Sequence, residues 1–383
     1  MIFDITPKAP VLFGAGASLR TGMKVRNFGC KKVICIYDPG IKAAGIATQI
    51  VDNIKAAGVE VVEFGEVIPD PPDTLMEKAA ELARQHNVDG VVGVGGGSSM
   101  DTAKVVNILL TNPSPVSQYY GFNKVSNPVK PLVLIPTTAG TGSEISFAAV
   151  ITDTKNHVKT GIGGAACVPK LAIIDPELTV GLPPKATAET GMDAFSHVIE
   201  SFTSAQENLM SQVLCEKAIQ LILENLPKAV QNGSDLEART NLSLAAMLAP
   251  MAFNDAMIHL GHSIAHSIGA VSHVTHGTCC ALSTPIMLEF IADMVPARVR
   301  RLGEIMGLDL REEMTAEEIG KQVADSIRAF CKKVGLATTL SEAGVDEAAL
   351  DSIATLVEAD GGQFFSPKRA NKHEALAMLK KIY

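Results

Sequence analysis

Up to about residue 180 the chain alternates short apolar runs with amphipathic stretches. KKVICIYD (31–38), VEVVEF (59–64), DGVVGVGGG (89–97), PLVLIPTT (131–138) and KLAIIDP (170–176) read as strands. Between them, 45–58, 73–86 and 100–111 carry apolar positions at helical spacing. Strands this continuously apolar belong to a parallel sheet covered by helices on both faces. ISFAAVITDTKNHVKTGIG (145–163) reads as a hairpin with a polar turn at 154–156. After GLPPKATAE (181–189) the period changes to 3.6, and 190–383 shows no good strand run. The expected architecture is an α/β domain over 1–182 and an all-α domain over 183–383. The LPP pair would be the hinge and the deep cleft would lie between the domains. No internal repeat or low-complexity segment interrupts this plan.

Composition narrows the function. The 383 residues are 47% hydrophobic and 19% charged, with net charge −8. Nucleic acid is therefore not an expected partner. The mean hydropathy of +0.22 points to apolar surface buried in a homo-oligomer, a dimer or larger. Leu242 to Phe253, the longest apolar candidate, is interrupted by Pro250 and too short for a membrane span. The start MIFDITPKAP lacks the basic-then-apolar pattern of a signal peptide. Seven cysteines without a CxxC pair, Cys279 and Cys280 being vicinal, read as reduced thiols of a cytoplasmic protein.

Two segments carry chemistry. In GVGGGSSMDTAK an apolar strand runs into a Gly-rich turn and then a helix. Without a Cβ in the way, backbone N–H groups can close on an anion, and the helix N-terminus adds partial positive charge. Gly95, Gly96, Gly97 and Ser98 are thus candidates for a pyrophosphate cradle. Read plainly, Ser98 would be an N-cap and Asp101 its capping-box acid; Asp101 is also counted among the cofactor-binding candidates. Asp38 ends an early strand, where a carboxylate can accept a ribose hydroxyl and repel a 2′-phosphate, favouring NAD over NADP. The plainer alternative is a turn residue before Pro39–Gly40. A second polar turn, PTTAGTGSE (136–144), offers Thr137, Thr138 and Thr141 to phosphate or to the nicotinamide amide, unless it is a solvent loop.

The other segment is a set of metal-ligand types. Asp193 and His197 in GMDAFSHVIE are spaced i, i+4 and share a helix face. His262 in HLGHSIAHSIGA and His276 in SHVTHG can close the set. Six of nine histidines fall in 197–276, and no Lys or Arg occurs between Arg239 and Arg298. One carboxylate and three imidazoles suit Fe²⁺ or Zn²⁺. Nucleotide and metal together suggest metal-assisted hydride transfer.

GGGSSMDTAK, IPTTAGTGSE, GMDAFSHVIE, GHSIAHSIGA and THG, in this order and over essentially the whole chain, resemble the iron-containing (group III) alcohol dehydrogenases. The resemblance implies the dehydroquinate synthase-like fold, NAD(H), and one divalent metal, Fe²⁺ ahead of Zn²⁺. It implies Asp193, His197, His262 and His276 as ligands and Gly95 to Ser99 as the pyrophosphate loop, so Ser99 joins the cradle. It implies Thr137 and Thr138 as the TT pair, Lys159 near the cofactor, and Asp38 as the NAD-selecting acid. His266 is similar to a histidine near nicotinamide and substrate, where it would relay a proton. Two departures are visible: Pro69-Asp70-Pro71 replaces Pro-Asn-Pro, and Val271 to Thr275 replaces an aromatic-containing run before the last ligand. These imply a roomier or more polar pocket for a small alcohol or aldehyde. The alternatives of the same fold are a dehydroquinate synthase-type lyase and a glycerol dehydrogenase-like polyol oxidoreductase.

Overall fold

The computed structural model describes residues 2–6, 8–156 and 158–383. Contacts divide them into two compact units. One ends at Gly181, and the other runs from Leu182 to Tyr383 and takes in the described residues up to Thr6.

In the first unit, six parallel strands form one sheet. They are β1 (Val11–Phe13), β2 (Lys32–Ile36), β3 (Glu60–Phe64), β4 (Gly90–Gly95), β6 (Leu132–Pro136) and β9 (Leu171–Ile174), ordered β1-β9-β6-β4-β2-β3. Alternate side chains serve opposite cores. Ile34, Ile36, Val91 and Leu134 pack under helix Gly97–Leu109 with Met100 and Val105. Val33, Cys35, Val92, Val94 and Ile135 pack on the other face with Ile50 and Ile54 of helix Ile46–Ala56. This two-sided burial is why the strands read as continuous apolar runs. A smaller sheet joins β5 (Gly121–Phe122), β7 (Ala148–Asp153) and β8 (Val158–Gly163); β7 and β8 form the expected antiparallel hairpin. His157, in that turn, lies outside the described residues.

The chain steps outward from β2 to β3, then returns to β4 and builds in the other direction through β6 and β9. The switch point therefore lies between β2 and β4, the place where open α/β sheets take ligands beyond their strand C-termini. Asp38 follows β2 and the glycines follow β4.

The second unit is helical among its described residues. Its first helix, Pro184–Thr203, starts inside the segment expected to be linker, because Pro183 and Pro184 supply the fixed backbone that suits a helix start. No helix is long and apolar enough to cross a membrane.

Candidate metal centre and phosphate turn

Asp193 and His197 lie one turn apart on helix Pro184–Thr203, and both are buried. Helix Leu260–Ser272 carries His262 and His266, and helix His276–Ile291 begins with His276. Gly277 lets this last helix meet the first: a Cβ there would stand 2.2 Å from the Glu189 carbonyl oxygen. That close approach delivers His276 to Asp193.

Asp193 Oδ1 is the common point. It lies 3.6 Å from His262 Nε2, 3.4 Å from His276 Nε2 and 3.6 Å from His197 Nδ1. The structure adds a donor that the sequence reading missed. Cys280, one turn after His276, places Sγ 3.6 Å from His276 Nε2, 3.7 Å from Asp193 Oδ1 and 3.9 Å from His262 Nε2. Donor atoms of Asp193, His262, His276 and Cys280 all lie within 4.8 Å of one another. His197 stacks face to face on His262, with ring centroids 4.4 Å apart, and its buried Nδ1 has no hydrogen-bond partner. Burial pushes the His197 pKa down to about 3, so its ring is neutral and keeps a lone pair. Burial also opposes charge on Asp193, yet the His276 charge and the hydrogen bonds from His262 and His276 outweigh it and hold the carboxyl well below its usual range. A buried carboxylate on which three imidazoles converge is a donor set that a divalent ion can take up by displacing their protons.

Glu200 was also missed, although it closes the GMDAFSHVIE segment on the ligand-bearing face. It is fully buried, and Oε1 lies 2.5 Å from His262 Nδ1. Oε2 accepts from the backbone N–H of His259 (2.6 Å) and His262 (3.2 Å), and Ser196 Oγ donates to Oε1. Burial disfavours its charge, but His262 more than compensates and the pKa falls. An ionised Glu200 keeps a proton on His262 Nδ1, so that an ion displacing the Nε2 proton would find its lone pair there, the second-layer arrangement typical of metal-binding histidines.

His266 is more open than His262, with side-chain exposure of 38% against 3%. Its ring stacks on His276 at 5.5 Å, and its Nδ1 lies 3.7 Å from Asp360 Oδ2. Asp360 is fixed in turn by Ser263 Oγ and the Gly362 N–H. His259 is not part of the cluster: its Nε2 pairs with Thr203 Oγ1 at 3.1 Å.

The first unit supplies the phosphate turn. Gly95 has φ 142°, closed to other residues, and a Cβ there would stand 2.7 Å from Ser99 Oγ. Gly96 is the N-cap of helix Gly97–Leu109, with no side-chain cap and no acid in the first turn. Its leading N–H groups and positive dipole end are thus free for an anion. Thr138 Oγ1, beside Gly96, is buried without a partner. Asp38 splits its two oxygens: Oδ1 caps the next helix through Gly40 and Ile41 N–H, while Oδ2 lies 3.5 Å from Ser99 Oγ. The turn reading thus describes one oxygen and leaves the other available.

Five of the candidate residues also have defined places in the fold. Ser98 is not an N-cap, because the helix starts two residues earlier than that would require, at Gly97. Asp101 accepts from Ser143 Oγ (2.6 Å) and Val150 N–H (3.0 Å), which braces the helix to the small sheet. Lys159 Nζ is paired with Asp70 Oδ1 at 2.7 Å. Thr141 Oγ1 accepts from Ser143 N–H and packs beside Gly97, and Thr137 meets the turn through its backbone, its N–H donating to the Gly95 carbonyl.

Comparison with known proteins agrees with this architecture. Residues 8–176 match the family described as iron-containing alcohol dehydrogenase, and residues 187–383 the C-terminal part of the Fe-containing alcohol dehydrogenase family. An NAD-dependent methanol dehydrogenase from Bacillus methanolicus is 34% identical, with 98% of each chain covered. A choline dehydrogenase from Bacillus subtilis (strain 168) is 35% identical over 94% of this chain and 90% of its own. The solved structure of an alcohol dehydrogenase from Oenococcus oeni superposes with TM-score 0.95 at 31% identity, covering both chains fully.

Proposed function

The chain belongs to the iron-containing alcohol dehydrogenase family, and from that premise we propose that it moves hydride between NAD(H) and a small alcohol or aldehyde. The observation that carries this reading is the convergence of His262 Nε2 and His276 Nε2 on Asp193 Oδ1, at 3.6 and 3.4 Å. A divalent ion held by Asp193, His197, His262 and His276 would supply Lewis acidity toward the substrate oxygen, and NAD would accept the hydride. Fe²⁺ is proposed ahead of Zn²⁺, supported by the family description, while the nitrogen and oxygen donors suit either ion.

The chain's own groups have separable tasks. Glu200 holds His262 in the metal-binding tautomer. His266, half-open and backed by Asp360, takes the alcohol proton and passes it to solvent. Gly95, Gly96, Gly97 and the hydroxyls of Ser98, Ser99, Thr137, Thr138 and Thr141 cradle the pyrophosphate and amide. Asp38 Oδ2 accepts a ribose hydroxyl and excludes a 2′-phosphate. Lys159 reaches the cofactor by leaving Asp70. A polar substrate is supported by the choline dehydrogenase relative and by Val271–Thr275 standing where an aromatic run was expected. The apolar composition supports a homo-oligomer, and the free, buried cysteines support a cytoplasmic setting.

NADH consumption with a panel of short aldehydes, plain and hydroxylated, tests the reading on protein purified without air and analysed for metal. Turnover on at least one aldehyde is expected. No turnover on any of them by fully metallated protein would contradict it.

A further inference from the structure

Four of the seven cysteines sit as structural thiols do. Cys30, Cys167, Cys279 and Cys331 each aim Sγ at a backbone carbonyl. Cys280 differs from its own neighbour. Among the described residues its hydrogen-bond neighbours are Asp193 Oδ1, His262 Nε2 and His276 Nε2, all atoms proposed to face the metal. We propose that the Cys280 thiolate is itself a ligand of this metal centre, beside the carboxylate and imidazoles; the inference rests on the metal reading above.

Three observations converge. Bond lengths of about 2.0–2.1 Å to nitrogen or oxygen and about 2.3 Å to sulfur give tetrahedral donor–donor separations of about 3.3–3.6 Å. The Asp193–His262 and Asp193–His276 separations are 3.6 and 3.4 Å, and those from Cys280 Sγ are 3.6, 3.7 and 3.9 Å. Asp193, His262, His276 and Cys280 therefore fit one four-donor set, to which His197 would add a fifth donor. Next, helix geometry puts Cys280 there without strain: it is i+4 from His276, on a helix buried from Gly277 through Leu288. Finally, His197 Nδ1 is buried, without a hydrogen-bond partner and 3.6 Å from Asp193 Oδ1, so a donor beside the cluster is left for an ion to satisfy. On metal uptake the S–H bond breaks heterolytically, its proton goes to solvent, and sulfur donates a lone pair to M²⁺. No oxidation state changes.

A thiolate softens the donor set and adds a second negative charge. It favours Zn²⁺ more strongly than a carboxylate–imidazole set alone would, and it reduces the Lewis acidity of whichever ion is bound. Cys280→Ser should weaken Zn²⁺ binding by roughly tenfold or more, while Mn²⁺ binding, which draws little from sulfur, should change less.

X-ray absorption at the zinc edge, on full-length protein loaded with Zn²⁺ and without substrate, tests this. The expected result is a sulfur shell at about 2.3 Å beside nitrogen and oxygen at about 2.0–2.2 Å. That shell should vanish in Cys280→Ser with zinc still bound. Thiolate-to-cobalt charge transfer in the near ultraviolet of the Co²⁺-loaded protein should appear and disappear in parallel. The wild-type spectrum decides the matter even if the variant folds poorly. Zinc lost in His276→Ala but bound in wild type with only nitrogen and oxygen neighbours overturns the thiolate ligand and leaves the metal reading intact. Wild-type protein that takes up Fe²⁺ but no Zn²⁺ overturns the thiolate ligand alone, and protein that takes up neither ion overturns both.

Discussion

At the scale of the residue, one carboxylate oxygen organises the helical site. Asp193 Oδ1 is approached by three imidazoles from three helices, and Glu200 fixes the most buried of them from behind. Glu200→Gln keeps the shape but loses the ionised acceptor for His262 Nδ1, so metal affinity should fall ~10–100-fold by equilibrium dialysis. Unchanged affinity would reduce Glu200 to a packing group. His266→Ala should leave metal content near wild type while turnover drops ~10²–10⁴-fold and alcohol oxidation loses an ionisation from its pH profile. Metal loss in that variant would instead make His266 a ligand. For Asp38 the structure selects a sharper substitution than removal. Asparagine retains an oxygen to cap the Gly40 and Ile41 N–H groups and removes only the charge. Asp38→Asn should raise the NADP-to-NAD ratio of kcat/KM without lowering stability, and an unmoved ratio would leave the residue a helix cap alone.

At the scale of the element, apolar runs announced the strands because both faces of the sheet are covered. β1 and β5, of three and two residues, were too short to register as periodic. Three glycines in a row suggested a longer turn than exists, since the field of the fold holds Gly97 in the helix. Of the helical site, the residue types and the i, i+4 spacing of Asp193 and His197 were legible. Cys280 and Glu200 were not, because a thiol and an acid on apolar helix faces look like core and surface until Gly277 lets two helices close. The turn after β6 carries one pH-dependent element. Burial pushes the Glu144 carboxyl from 4.5 up to about 7, against the pull of Lys104. Its folded pKa thus exceeds its unfolded one. Its stabilising contribution is full below the unfolded value and is lost as pH rises through about 7. Glu144→Gln, always neutral, should be more stable than wild type by on the order of 3 kcal/mol near pH 8.5 and no more stable near pH 3.5. Urea midpoints at the two pH values measure this, and an equal difference at both would contradict it.

At the scale of the molecule, the division of labour follows the two units: residues assigned to the nucleotide belong to the sheet-containing one, and residues assigned to the metal belong to the helical one. The alternation of strands and helices, then helices alone, made that plan readable from hydropathy, and the two family matches cover the same two halves. The substrate is less legible, because its recognition depends on a few side chains whose types do not repeat with any period. The claim on which everything else depends is that alcohol chemistry requires the metal centre around Asp193. Metal-depleted protein titrated with Fe²⁺ without air, with NADH oxidation by an aldehyde followed throughout, tests it directly. Activity should rise with occupancy and level off at one ion per chain, and His276→Ala should gain little at the same additions. Full activity in the metal-depleted protein, or an equal rise in His276→Ala, would contradict it.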